Sequence, residues 1–359
     1  MNAKSNLSWE ANVRKVVPYT PGEQPVRKDI IKLNTNECPY PPSPKVAEVL
    51  RGFEADSLRL YPDPAAAKLV DALADRYQVK REQVFVGVGS DDVLALAFLT
   101  FFQGGKEILF PDITYSFYDV WAKLYGISYR TPALDVDFHL KKEDYLVDNG
   151  GIIFPNPNAP TGLQEDLATV EEIVAGNPQS VVIVDEAYVD FGGVSAVSLV
   201  DKYENLLVVQ TFSKSRAMAG MRIGYAIGSK KLIGYLSDVK FSFNSYTMNR
   251  LTIACGKACV EDEPYFKEIT GKVVATRERV KKELTRLGFT FPDSAANFIF
   301  AAHERVPAEQ LFTARREAGI YVRYFKKPGI DNYLRITIGT DEEMDRLLAF
   351  LTNYLKTGV

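Results

Sequence analysis

Between residues 65 and 236 the chain alternates short apolar runs with amphipathic segments, and no other feature constrains its fold so tightly. AAAKLVDALADRY has helical spacing, VFVGVG reads as a strand, DDVLALAFLTFF as a helix, EILF as a strand, SFYDVWAKLYG as a helix and ISYRTP as a short strand. The strand at the start of GIIFPNPNAPTG, a helix over DLATVEEIVAG, the strands VVIVDEAY and LLVVQTFSK, and RIGYAIGS before a helix near KLIGYL continue the rhythm. Short strands without polar alternation are covered on both faces, so the pattern predicts an α/β fold built on a mainly parallel sheet. Beyond about residue 245 come long helices, then short strands at FTFPD, NFIFAA, IYVRYF and YLRITIG and a last helix over DEEMDRLLAFLTNYL, which predicts a smaller α+β domain. Pro18, Pro21, Gly22 and Pro25 mark the first thirty residues as an extended arm. The division expected is an arm over 1–30, a large domain over 31–245 and a small domain over 246–359, and a length of 359 residues suits two cores better than one.

Composition then removes whole classes of function. Forty-three basic against 46 acidic residues leave a net charge of -3, too little field to gather nucleic acid or an anionic membrane, so a bound anion must be held locally. Cys38, Cys255 and Cys259 are too few for a disulfide framework or a zinc site, which points to buried thiols and no metal. His139 and His303 stand in the polar surface contexts DFHLKKED and FAAHERVP and are expected to be solvated or incidental, so acid–base work falls to other residues. The start MNAKSNLSWEANVRK lacks the apolar core of a signal peptide and no run is long enough to span a bilayer, so the expected location is cytoplasmic.

In an open parallel sheet ligands bind where strands end, so the residues that follow each strand carry the functional information. After VFVG, Gly87, Gly89 and Ser90 turn into a helix whose free amides at Ser90 and Asp91 suit a phosphate; a plain strand–helix turn reads equally well. A dinucleotide fingerprint, and with it a nucleotide-binding dehydrogenase, needs a third glycine where Asp92 stands. After VVIV come Asp185 and, three residues on, Tyr188; alone, the carboxylate is equally a metal ligand or half of a structural ion pair. After LLVVQ come Thr211, Ser213 and Lys214, with Arg222 eight residues beyond the lysine. A lysine desolvated beside a hydrophobic strand is a competent imine former, whereas a snorkelling surface lysine is the bland alternative. Together these parts meet what pyridoxal 5'-phosphate requires: a carboxylate for the pyridine nitrogen, a phenol for the ring oxygen, a lysine for the aldehyde, and amides, hydroxyls and an arginine for the phosphate.

The segments LNTNECPYPPSP, RLYPDP, GVGSDD, PDITYSFY, NPNAPTG, DEAYVDF, TFSKSRAMAGMRIGY and YLRITIG carry a resemblance over nearly the whole chain. The chain resembles fold type I pyridoxal-phosphate aminotransferases, most closely the histidinol-phosphate aminotransferases. The resemblance implies that Lys214 bonds the cofactor and then shuttles the substrate proton, that Asp185 holds the pyridine nitrogen protonated, and that Tyr188 donates to the ring oxygen. Tyr115 would stack on the ring. Ser90, the Asp91 amide, Thr211, Ser213 and Arg222 would hold the phosphate, joined by Tyr61 from a neighbouring subunit of a homodimer. Arg335 and Arg323 would grip the substrate's anionic groups, with Tyr19 and Asn36 completing that pocket. Most relatives carry Asn-Asn-Pro-Thr-Gly where this chain has Asn158-Ala159-Pro160-Thr161-Gly162, so that either Tyr188 acts alone on the ring oxygen or Asn158 or a water replaces the missing asparagine donor. The activity implied is amino transfer between L-histidinol phosphate and 2-oxoglutarate. Threonine-phosphate decarboxylation, aromatic amino-acid transamination and a non-catalytic regulator that keeps the cofactor as a ligand are the alternatives.

Overall fold

A computed structural model describes residues 8–19, 22, 23, 25 and 29–357; the rest of the expected arm, Pro21 included, lies outside the described residues. In chain order the first elements are β1 (Ile31–Leu33), α1 (Pro44–Arg51), α2 (Ala67–Tyr77), β2 (Val84–Gly87), α3 (Ser90–Phe101), β3 (Ile108–Leu109), α4 (Phe117–Tyr125), β4 (Tyr129–Arg130) and β5 (Ile152–Pro155). Next come α5 (Leu167–Gly176), β6 (Val182–Asp185), β7 (Leu206–Thr211), β8 (Gly224–Gly228), α6 (Lys230–Phe243) and α7 (Arg250–Val260). The last are α8 (Glu263–Arg286), β9 (Phe289–Thr290), β10 (Phe298–His303), α9 (Ala308–Glu317), β11 (Ile320–Tyr324), β12 (Leu334–Thr337) and α10 (Asp341–Lys356).

Seven strands in the order β2-β8-β7-β6-β5-β3-β4 form the first sheet. All run parallel except β8, which is antiparallel to both neighbours. The reason is local: residues 212–223 connect β7 to β8 with only a 3-10 turn and no crossover helix, so the chain returns along the adjacent edge. The central strands are apolar up to their carboxyl ends because both faces are covered. Val182, Val184, Leu206 and Val208 pack with residues of α2, α5 and α7, while Ile183, Leu207 and Val209 pack with α3, α4 and α6.

The second sheet, β1-β11-β12-β10-β9, is antiparallel except where β1 pairs with β11, Ile31 opposite Ile320. Its core joins Phe298, Ile336 and Val322 to Val280 and Leu284 of α8 and to Leu347 and Leu351 of α10. The helix α10 starts at a capping box between Thr340 and Glu343.

Two packing facts shift the domain lines we propose. The strand β1 leaves the large domain for the second sheet. Ile253, Cys255 and Cys259 of α7 pack with Leu69 and Leu73 in the first core, whereas Val280 and Leu284 of α8 pack in the second, so we propose the division within α8. His303 corrects another expectation. It is 3% exposed, its Nε2 lies 2.9 Å from the Leu287 carbonyl and its Nδ1 accepts from the Arg305 and Val306 amides, so the ring closes a loop instead of facing solvent. Among the described residues no helix is long and apolar enough to cross a membrane.

Candidate active site

At the carboxyl ends of β2, β6 and β7 a cavity of about 200 Å³ collects nine of the sequence-expected residues: Ser90, Asp91, Tyr115, Asp185, Tyr188, Thr211, Ser213, Lys214 and Arg222. An adjoining cavity of about 880 Å³ adds Tyr19, Asn36, Arg323 and Arg335. Lys214, Tyr188, Tyr115, Thr35 and Ala159 line both, so the lysine stands at the junction.

One end of the smaller cavity is built for an anion. The first turn of α3 presents the amides of Ser90 and Asp91, and Thr211 Oγ1 donates to Ser213 Oγ at 3.0 Å. Arg222, in the left-handed region at φ 55°, donates from Nη1 to the Ala219 carbonyl at 3.0 Å. Its guanidinium lies across Gly89: a Cβ there would sit 2.4 Å from Nη2. A Cβ at Gly224 would sit 2.2 Å from the Ser90 nitrogen, so glycine in β8 lets the antiparallel strand close against the amide turn. Hydroxyls, free amides and the Arg222 guanidinium converge here, and the Asp91 carboxylate, 3.8 Å from Arg222 Nη2, opposes them, with Glu37 also on the cavity wall.

At the other end Asp185 closes β6 in full burial. Tyr118 donates to its Oδ2 at 2.8 Å and the Ala187 amide to its Oδ1 at 3.2 Å, yet burial still pushes the carboxyl up to about 6. A cationic N–H would relieve that cost. The Tyr188 hydroxyl accepts from Asn36 Nδ2 at 3.0 Å, which leaves its own proton free for a ligand oxygen. Thr337 of β12 donates to Asn36 Oδ1 at 2.9 Å and so fixes which way the amide points. Asn36 therefore spends its side chain on orienting Tyr188. Lys214 Nζ donates to the Thr35 carbonyl at 3.1 Å and stands 5.8 Å from the Tyr188 ring. Tyr115 donates to Asp91 Oδ1 at 2.8 Å, and burial holds its hydroxyl well above the usual tyrosine range.

In the larger cavity Arg335 donates from Nη2 to the Asn34 carbonyl at 3.1 Å while its buried Nε has no partner among the described residues, an arrangement that suits an anionic ligand. Burial lowers the guanidinium's pKa without removing its charge from neutral pH.

Two expected residues are not brought to the site by this chain. Asn158 is absent from both cavity walls; its Nδ2 donates to the Ile113 carbonyl at 3.1 Å, and Ala159 lines the wall in its place. Tyr61 is 77% exposed and packs on Tyr246 at 4.7 Å, in a separate surface depression with Leu60 and Arg250. Sequence reasoning missed Tyr118, whose place three residues after Tyr115 in an amphipathic helix marked it only as core. It also missed the Thr35 carbonyl, for which no side-chain signal exists.

Residues 28–351 match the family described as aminotransferase class I and II. The chain belongs to this family. A histidinol-phosphate aminotransferase of Hydrogenovibrio crunogenus is 54% identical over 349 residues, covering 97% of this chain and 98% of that protein. One from Lactococcus lactis subsp. cremoris is 50% identical over 98% of each chain. The crystal structure of the Sinorhizobium meliloti histidinol-phosphate aminotransferase in complex with pyridoxal-5'-phosphate superimposes with a TM-score of 0.81 at 22% identity, over 92% of each chain. This aminotransferase therefore has the fold expected from its alternating strands, and the lysine, the buried carboxylate and the anion cradle fall at that fold's strand ends.

Proposed function

We propose that this aminotransferase interconverts L-histidinol phosphate plus 2-oxoglutarate with imidazole-acetol phosphate plus L-glutamate, with pyridoxal 5'-phosphate as cofactor. The observation that carries the reading is the pair of cavities meeting at Lys214, one with an anion cradle and a buried carboxylate, the other with two arginines. The names of relatives about half identical over their whole length support the substrate. The residues present fit the cofactor: the glycine-bared turn at Gly89, Ser90 and Arg222 suits its phosphate, and buried Asp185 needs a cationic partner. When bound, the cofactor supplies an electron sink for the substrate's α-carbon.

The chain's own groups do the rest. Lys214 would hold the cofactor and, once released from it, would take the proton from the substrate α-carbon and pass it to the cofactor's C4' carbon, so that the amino nitrogen stays behind when the keto product leaves. Asp185 keeps a positive charge on the ring nitrogen, and Tyr188 donates its free proton to the ring oxygen. Ser90, the Asp91 amide, Thr211, Ser213 and Arg222 fix the phosphate end. Arg335 and Arg323 hold the anionic group of either amino donor, the phosphate of one and a carboxylate of the other. The working unit is proposed to be a cytoplasmic homodimer in which Tyr61 reaches its partner's phosphate site; its exposure beside Tyr246 supports this.

Borohydride reduction of the holoenzyme followed by peptide mapping is expected to place the label on Lys214 alone, and label elsewhere ends the reading. A panel of amino donors then decides the substrate. Histidinol phosphate should outrun threonine phosphate and phenylalanine, and carbon dioxide release from threonine phosphate would favour a decarboxylase instead.

A further inference from the structure

The larger cavity carries opposite charges from its two domains. Arg323 and Arg335 enter from the small-domain sheet, whereas Asp112 and Asp119 enter from the end of β3 and the first turn of α4. The Asp112 carboxylate is already committed, since its Oδ1 accepts from the Ile113 and Leu134 amides at 2.9 and 3.0 Å. Asp119 is not so bound. Its single hydrogen-bond partner among the described residues is Lys123 Nζ at 2.6 Å, a lysine one turn along the helix whose side chain is 60% exposed. An exposed pair of this spacing is weak and leaves the carboxylate available to a ligand. Flat aromatic faces accompany it. Tyr129 stacks on Phe110 with centroids 4.9 Å apart, Tyr19 stacks on Phe117 at 4.1 Å, and both tyrosines line the same cavity.

The proposed amino donor has the same polarity as the cavity. Its phosphate is a dianion that the arginines attract, and its imidazole carries an N–H that arginines, which only donate, cannot accept. We propose that Asp119 is a specificity-determining residue that accepts the imidazole N–H of the amino donor, with the rings of Tyr129 and Tyr19 flanking that heterocycle. The inference rests on the histidinol-phosphate reading. It also gives that reading its selectivity: glutamate, which must use the same cavity in the other half reaction, offers no side-chain donor to Asp119 and is held through its carboxylates.

The test compares the wild-type holoenzyme with Asp119→Ala, Asp119→Asn and Lys123→Met, using histidinol phosphate, phenylalaninol phosphate and glutamate as amino donors. Phenylalaninol phosphate keeps the phosphate and replaces the imidazole by a phenyl ring. A hydrogen bond to a charged acceptor corresponds to about 10- to 100-fold in binding, so Asp119→Ala should lower the kcat/KM preference for histidinol phosphate over phenylalaninol phosphate by that factor, mostly through KM. Asp119→Asn, which retains an acceptor without charge, should fall between. Lys123→Met breaks the ion pair, keeps the carboxylate and should retain the preference. Equilibrium dialysis of both phosphates against Lys214→Ala protein, with and without Asp119→Ala, reads the same ratio without turnover. An unchanged ratio in Asp119→Ala, or an equal loss in Lys123→Met, overturns the inference. A wild type that turns over both phosphates without preference overturns the imidazole assignment alone, while a wild type inactive on histidinol phosphate removes the substrate reading and this inference with it.

Discussion

Tyr118→Phe isolates the control of Asp185. The hydroxyl donates at 2.8 Å to a carboxylate that burial has already raised to about 6, and the variant leaves only the longer Ala187 amide contact. A hydrogen bond to an ionised group is worth roughly 1.5 to 3 kcal/mol, so its loss should raise the carboxyl by about one to two further pKa units. At pH 7 the wild-type group is about nine-tenths ionised, and the variant's would be between half and one-tenth ionised. Only the ionised form holds a protonated ring nitrogen. Cofactor affinity of the apoenzyme, titrated by absorbance between pH 5 and 9, should therefore rise through about pH 6 in the wild type and about one to two units higher in the variant, with a deficit of about 2- to 10-fold at pH 7 that closes by pH 9. The ring of Tyr118 stays in place, so packing is conserved. Equal midpoints for the two proteins, or a deficit that does not change with pH, would refute the assignment of Tyr118 as the group that keeps Asp185 charged.

Glu186, one residue on, is buried and raised to about 7 by that burial, against hydrogen bonds from Ser195, the Ala196 amide and Gln210. A carboxyl raised in the fold favours folding while protonated and loses that advantage as pH climbs from the unfolded value through the folded one. Glu186→Gln is thus expected to flatten the pH dependence of apoenzyme stability between pH 4.5 and 7 by about 3 kcal/mol, read from urea unfolding; a parallel dependence would contradict it. Gly224→Ala should push on the Ser90 amide and weaken cofactor binding by about 10- to 100-fold, the scale of an overpacked contact, while retaining the fold by circular dichroism. Ala159→Asn places an amide on the shared cavity wall and should lower the pH at which the lysine-bound cofactor changes colour; if Asn158→Ala raises it instead, Asn158 already supplies that donor. Mixing Tyr61→Phe with Lys214→Ala should give hybrids with one site intact in both residues, and hybrids no more active than their parents would exclude a shared site.

Much of this protein was legible in the chain because its signals are local. The apolar runs VVIV and LLVV have no polar face, so only a sheet covered on both sides can hold them, and the residues that end those strands inherit the ligand. Asp185, Thr211 and Lys214 are placed by that rule alone. What the sequence could not decide depended on pairing between distant segments. Three residues at Ile31–Leu33 carry too little pattern to choose a sheet, and Ile320–Val322 chose for them. The short Lys214 connection reversed β8, and that reversal brings Gly224 against Ser90. His303 sat in a polar sequence, but its neighbours in space are the carbonyl of Leu287 and two amides. Tyr118 is spaced like any core aromatic, and only the meeting of α4 with the end of β6 turns it into the partner of a buried charge. Hydrophobic periodicity is written within ten residues, whereas hydrogen-bond partners 67 or 301 positions apart are fixed by the packed sheet and nowhere else.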